Sequence, residues 1–281
     1  MFWRQLCNEL LKLFARKRTY IGFAAFPFIQ ILILFLLRLP KAQKAFSNVL
    51  AGGGYELKEY YSGLTMGVLL IIFTFALLGV LYLALVSGDI VAKESEEGSL
   101  RLILSRPISR IRLMAIKWLA CLVYGVTLVF FIGFTSLLAG VIYRGGLGNL
   151  FVYSPPEHLF AVFDTREGLW RFCCSVAVLA AGYQVVVSLG FMFSCFNMKP
   201  AAATILTLSV MFMDFVLRNI PFFSAFQSWF IAHHAVAYIR IFNEVIPWWN
   251  IAESLLYLWA INLSLWIVGS AAFCSRDFKS G

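Results

Sequence analysis

Charge is what this sequence has least of. Lys, Arg, Asp and Glu together make up 13% of its 281 residues, while 61% are hydrophobic and 17% aromatic; soluble domains carry about 25% charge. So little polar surface cannot clothe a water-soluble core of this apolar content, and lipid must be the solvent for much of the chain. The formal charge of +9 would suit nucleic acid. No basic run interleaved with aromatics on a polar scaffold is present, however, so nucleic acid is not expected as a partner. The six cysteines (Cys7, Cys121, Cys173, Cys174, Cys195, Cys274) lack the paired spacing of a zinc site or a disulfide framework, and neighbouring cysteines such as Cys173 and Cys174 rarely bridge. They read as small core fillers.

Catalytic motifs are missing as well. A phosphate-cradling loop needs spaced glycines followed by Lys and a hydroxyl; "GVIYRGGLG", Gly140 to Gly148, has the glycines without the lysine. Nucleotide chemistry, if the chain depends on it, belongs to another polypeptide. No Gly-x-Ser-x-Gly elbow and no His-Glu-x-x-His occurs, and His158, His233 and His234 all lie between spans. Asp89 and Asp214 superficially offer the carboxylate pair of an aspartyl intramembrane protease, but their expected depths differ. No catalytic, metal or cofactor site is expected.

Long apolar runs are abundant. A membrane helix needs about 20 apolar residues, and six stretches qualify: Thr19 to Leu37, Leu64 to Val86, Trp118 to Ile142, Phe172 to Phe196, Ala201 to Leu217 and Ile251 to Cys274. Pro200 suits the first turn of the fifth, where its missing N–H is harmless. The fold class is therefore all-α, a polytopic integral membrane protein forming a single domain over 1–281. Asp214 is costly inside the fifth span, and Arg218, four residues on, is expected to pair with it.

Lys and Arg are retained on the cytoplasmic side. They gather before the first span and from Lys93 to Lys117, with Lys199, Arg276 and Lys279 on the same side, which predicts both termini inside. The first apolar run is longer than a leader's core and reads as a span. Over 1–18, Phe2, Trp3, Leu6, Cys7, Leu10, Leu13 and Phe14 recur at helical spacing with Arg4, Asn8, Lys12 and Arg16 elsewhere, the pattern of an interfacial helix. Outside, 38–63, 143–171 and 218–250 connect the spans. The last is apolar and aromatic enough to rest at the interface or dip back between helices.

The densest charge falls in "GDIVAKESEEGSLRLILSRPISRIRLMAIK", 88–117. Glu94, Glu96 and Glu97 come first, expected at the positive end of a short helix. Gly98 lowers helical propensity after them, and Pro107 ends the element at Arg106. Ser109 is placed to cap the next helix, whose Arg110, Arg112 and Lys117 meet headgroups.

This stretch resembles the first cytoplasmic loop of membrane permease subunits of the ABC transporter superfamily, in the six-span exporter class (type 2). The likeness lies in the acid-rich turn, Gly98-Ser99, the leucines, Ser105-Arg106-Pro107-Ile108-Ser109-Arg110 and Lys117; the ending Phe273 to Phe278 adds to it. The resemblance implies that Glu94 to Pro107, with Gly98, Ser99, Leu100, Arg101, Leu104, Ser105, Arg106 and the following Arg110, is a coupling helix region that docks on a separate ATP-binding subunit holding ATP and Mg. It implies further that the N-terminal helix, through Trp3, Arg4, Leu10 and Lys12, is a connecting helix touching that partner. Two permeases, identical or not, would pair in the plasma (inner) membrane. An ion-coupled secondary transporter or channel is the alternative, but such proteins use midplane charges or broken helices, and the polar loop would have no task. The apolar outer segment leans toward an amphipathic cargo.

Overall fold

A computed structural model describes residues 2–15, 17–41, 43–44, 47, 61–100, 108–154 and 159–276 of the chain. Six helical stretches are long and apolar enough to cross a membrane: Thr19–Leu37, Gly63–Glu96, Arg110–Arg144, Thr165–Cys195, Pro200–Asn219 and Trp248–Cys274. All six expected spans are present, and the fold is all-α and polytopic. The end of the bundle carrying Phe2 and Arg276 is called the near end below, and the opposite one the far end.

The second and third spans run to 34 and 35 residues, or about 51 Å at 1.5 Å per residue, against a hydrocarbon thickness of about 30 Å. Both therefore project beyond the lipid. The second continues ten residues past Val86 to Glu96, so Asp89 is buried inside a helix rather than opening a loop. The acids Glu94, Glu96 and Glu97 consequently stand at this helix's negative C-terminal end, not at the amino end of a short one. That position is unfavourable for carboxylates, and it is neighbouring lysines that offset it. Gly98, at φ +73°, supplies the left-handed turn that stops the helix, with its N–H donating to the Ser95 carbonyl at 3.3 Å.

Midway, Phe75–Gly79 forms a π-helical turn. Phe75 folds back over Gly79, where a Cβ would lie 2.5 Å from the ring, and meets Tyr183 edge to face at 4.5 Å. Tyr183 itself interrupts the fourth span between Thr165–Gly182 and Gln184–Cys195. At the far end the second and third spans approach backbone to backbone: a Cβ on Gly140 would stand 2.4 Å from the Gly63 carbonyl oxygen, a small-residue crossing that only glycine permits.

The fourth span, the most buried of the six, is the centre of the bundle; the first, fifth and sixth are peripheral and present rows of exposed Ile, Leu and Phe. Between the third and fourth spans lies a feature the all-helical reading did not anticipate, an antiparallel hairpin of β1 (Leu150–Ser154) and β2 (Leu159–Phe163) pairing Leu150 with Phe163. Segment 218–250 divides in two. Its 3₁₀ turn Pro221–Trp229 buries nothing and exposes Phe222, Phe226 and Trp229. The helix Ile231–Ala235 and the 3₁₀ turn Val236–Phe242 sink in, burying Ala232, His234, Ala235, Ala237, Ile241 and Phe242.

Candidate functional site

The N-terminal helix, Phe2–Ala15, lies against the near end of the third span. Its buried stripe is Leu6, Glu9 and Leu13, one turn apart, whereas Trp3 is 75% exposed, Arg4 is exposed and Leu10 is half-buried. A glutamate in the middle of a buried stripe demands a partner. It finds two: Glu9 Oε1 lies 2.7 Å from Lys12 Nζ and Glu9 Oε2 lies 3.2 Å from Lys117 Nζ. Lys117, on the third span, is fully buried and also reaches Glu94 Oε2 at 2.7 Å, while Lys12 stands 3.9 Å from Glu94 Oε1. Two acids and two bases thus close a cluster of zero net charge. It joins the N-terminal helix (Glu9, Lys12), the end of the second span (Glu94) and the start of the third (Lys117). Burial alone would raise the Glu9 pKa, but Lys117 and Lys12 outweigh it and hold the carboxyl below its ordinary value.

A second network ties the remaining spans to the same place. Arg276 Nη1 donates to the Cys195 carbonyl at 3.2 Å, and its Nη2 donates to Asn197 Oδ1 at 2.7 Å and Ser95 Oγ at 3.1 Å. One side chain thereby links the sixth span, the turn after the fourth and the end of the second. Arg110 Nη1 donates to the carbonyls of Cys274 and Arg276 at 3.0 and 2.9 Å, satisfying acceptors that a helix end leaves open. Ser109 caps the third span, its Oγ accepting from the Arg112 N–H at 3.2 Å. Deeper in, Trp118 Nε1 donates to Ser188 Oγ at 2.9 Å, joining the third span to the fourth.

The coupling residues anticipated from sequence therefore separate into groups. Glu94 is buried in the ion cluster; Glu96 and Glu97 are exposed, with Lys93 Nζ 3.8 Å from Glu97. Ser99 Oγ donates to the Glu94 carbonyl at 3.3 Å, and Leu100 is buried. Arg101, Leu104, Ser105, Arg106 and Pro107 lie outside the described residues. Of the connecting-helix set, Lys12 joins the ion cluster, Trp3 and Arg4 face outward, and Leu10 packs at the edge of the core. Sequence reasoning passed over Glu9 and the linking role of Arg276, and it placed at the headgroups Lys117, which is instead fully buried in the ion cluster. An acid inside a helix's apolar stripe was the available signal for the first.

Asp214 and Arg218, at the far end of the fifth span, share one target. Asp214 accepts from the N–H groups of Ile231 and Ala232 at 3.0 and 2.6 Å, and Arg218 Nη1 donates to the Ala232 carbonyl at 2.9 Å. The carboxylate caps the first amides of Ile231–Ala235, which are otherwise orphaned. Arg171, buried at the far end of the fourth span, holds the next piece. It donates to the carbonyls of Ile241, Asn243 and Glu244 at 2.7, 2.5 and 3.1 Å and pairs with Glu167 at 2.7 Å. All six cysteines are free, and only Cys121 and Cys195 are buried. Among the described residues, no three His, Cys, Asp or Glu side chains converge.

A family model described as "ABC-2 family transporter protein" matches residues 8–231. A comparison with curated proteins returns no match. The matched region contains Glu9, Lys12, the whole 88–117 stretch and five of the six spans, while the sixth span and Arg276 lie beyond it. The match covers more than half of the chain, so the chain is a membrane component of an ABC transporter, a context that implies an ATP-binding partner, and it belongs to the ABC-2 family of transporter proteins.

Proposed function

We propose that this permease is the membrane half of an ATP-driven exporter in the plasma (inner) membrane, with the near end and both termini in the cytoplasm. The ATP-binding subunit, carrying ATP and Mg, docks on the loop that follows Glu96 and on the outward face of the N-terminal helix. A second permease, identical or not, completes the pathway. Closure of the ATP-binding subunits presses on the loop, and the second and third spans tilt with the N-terminal helix to switch access across the bilayer. An amphipathic, lipid-like cargo suits the apolar walls.

The observation that carries this reading is the ion cluster. A push at an isolated loop would bend the loop; a push at this one reaches three elements at once, because Glu94, Lys117, Glu9 and Lys12 bind them side chain to side chain. Glu96 and Glu97, exposed at the end of the second span, are the acids a partner would meet first. The retention of Lys and Arg near this end supports its cytoplasmic placement. The carboxylate a secondary transporter would use, Asp214, is instead engaged with backbone amides.

A photo-crosslinker at Glu97 of the tagged full chain in native membranes should trap a polypeptide that is itself labelled by azido-ATP; a crosslinker at Trp249, at the far end, should not. Transport by the reconstituted chain alone, driven by an ion gradient without ATP, would overturn the reading.

A further inference from the structure

Between the first and third spans a groove of about 600 Å³ opens at the far end, within the size range of ligand sites. Along the first span it is lined by Gln30, Ile31, Leu34, Phe35 and Arg38, and along the third by Leu138 and Ile142 among others. The i, i+4, i+8 spacing from Gln30 to Arg38 keeps these residues on one helix face, covering about 12 Å of axial rise; from Pro27, where the groove begins, the distance is about 16 Å. Half the hydrocarbon thickness is about 15 Å. The groove is thus one leaflet deep.

Its two ends differ chemically. The inner end is closed by Gln30, fully buried, whose Nε2 donates to Thr135 Oγ1 and Ser136 Oγ at 3.0 Å each. At the rim, Arg38 stacks on the Tyr143 ring at 5.1 Å, and Arg144, the residue that follows Tyr143, stacks on the Tyr61 ring at 4.6 Å. Tyr61 and Tyr143 pack in one small cluster with Leu34 and Leu37, and Tyr61 donates to the Leu37 carbonyl at 3.2 Å. Both guanidiniums are exposed, and among the described residues neither meets a carboxylate. Stacking on a ring holds a guanidinium in place while leaving its edge N–H groups to donate. The walls between, Ile31, Phe35, Leu138 and Ile142, are exposed and offer only dispersion contacts to what lies against them.

We infer that this groove is a binding site for an anionic phospholipid of the far-end leaflet, its phosphate on Arg38 and Arg144 and one acyl chain laid between the first and third spans down to Gln30. The length of the groove selects a chain one leaflet long, and the paired fixed cations select a negative headgroup over a zwitterionic one, since each basic residue at a membrane surface favours an anionic lipid by about fivefold. The assignment is independent of which partner drives the permease and of which way the chain faces.

Native mass spectrometry of the purified full chain, offered phosphatidylglycerol or phosphatidylcholine of matched chains, reads the preference. The wild type should retain phosphatidylglycerol over phosphatidylcholine by tenfold or more. Arg38→Gln should lower the ratio about fivefold and Arg38→Gln with Arg144→Gln should bring it near one. Leu138→Trp, at an exposed position that tolerates bulk, should reduce retention of both lipids by filling the groove. Phosphatidylglycerol carrying a diazirine at the end of its acyl chain should label the peptides containing Ile31 and Leu138. Unchanged thermal unfolding of the variants separates these effects from misfolding. Equal retention of the two lipids by the wild type, label spread over the exposed face of the fifth span, or disulfide-linked dimers of Phe35→Cys that exclude lipid from the groove would each overturn the assignment.

Discussion

The two ends of the bundle bury charge in opposite ways. At the near end, Lys117 meets two carboxylates from two other elements. At the far end, Arg171 meets Glu167 on its own helix and then three backbone carbonyls of an irregular segment, and Asp214 likewise meets backbone amides. The near-end cluster of Glu9, Lys12, Glu94 and Lys117 connects helix to helix through side chains, so rods that move together keep these bonds. Far-end ions fasten non-helical backbone to a rod, satisfying groups that short 3₁₀ turns leave open. The first arrangement suits the displacement proposed above, and the second holds a shape.

The sharpest way to break this contrast is at Lys117. Removing one member of a buried ion cluster leaves its partners charged and unpaired, which costs about 3–5 kcal/mol. Lys117→Met should lower the thermal stability of the full chain in nanodiscs by that order and raise hydrogen exchange across Phe2–Ala15, with Ile231–Phe242 unaffected. Replacing Lys117, Glu94 and Glu9 together by Met removes charge and partner alike, and should recover most of the loss. If the single variant proved harmless, the near end would not be held by ions. Arg171→Met is the counterpart. It should cost about 1.5–3 kcal/mol, the worth of hydrogen bonds to a charged group, and the exchange should rise over Val236–Phe242 while Phe2–Ala15 stays protected. A rise at both ends from either variant would erase the distinction.

Why the sequence showed one half of this and hid the other follows from the residues. The spans were legible because lipid demands long apolar runs, and Pro200 and Ser109 announced helix starts that the structure contains. The end of the second span was not legible. Three acids read as the amino end of a short helix, and only Lys117, more than twenty residues on, and Lys12 on a separate helix neutralise the buried one. Glu9 was hidden for the same reason: its partner Lys117 is 108 positions away. Asp214 and Arg218 read as a pair by their spacing, but that spacing did not announce that both also reach Ile231–Ala235, a target that exists only once the chain has folded back. The hairpin at Leu150–Phe163 is short, and its Leu and Phe residues carry no period that separates a five-residue strand from an apolar turn.

A smaller effect sharpens the division within the near end itself. Glu94 and Glu97 differ in exposure by their place on the last turn of one helix, and they should differ in consequence. Glu97→Lys, on the exposed side, should change stability by no more than about 0.5 kcal/mol while lowering retention of the ATP-binding subunit in pull-downs from native membranes. Glu94→Gln should destabilise the chain even with no partner present. If Glu97→Lys left partner retention and ATP-driven transport at wild-type levels, the exposed acids at the end of the second span would not be the docking face.

Acid supplies the mildest perturbation. Glu9 has a folded-state pKa below its ordinary 4.5 because Lys117 and Lys12 stabilise the carboxylate more than burial opposes it. In linkage terms the unfolded chain binds the proton more readily, so stability from Glu9 is complete above pH 4.5 and is lost as pH falls through the lower folded value. Hydrogen-exchange protection of Phe2–Ala15, corrected for intrinsic rates, should therefore be flat from about pH 5 to 8 and decline only in more acidic buffer. Glu9→Gln should start from lower protection and lose this decline. The far end's grip on Ile231–Phe242 should not follow the Glu9 titration, because Lys117 and Lys12 are partners of the near end alone; a parallel loss at both ends that survives in Glu9→Gln would place the acid-sensitive group elsewhere and detach the N-terminal helix from the ion cluster.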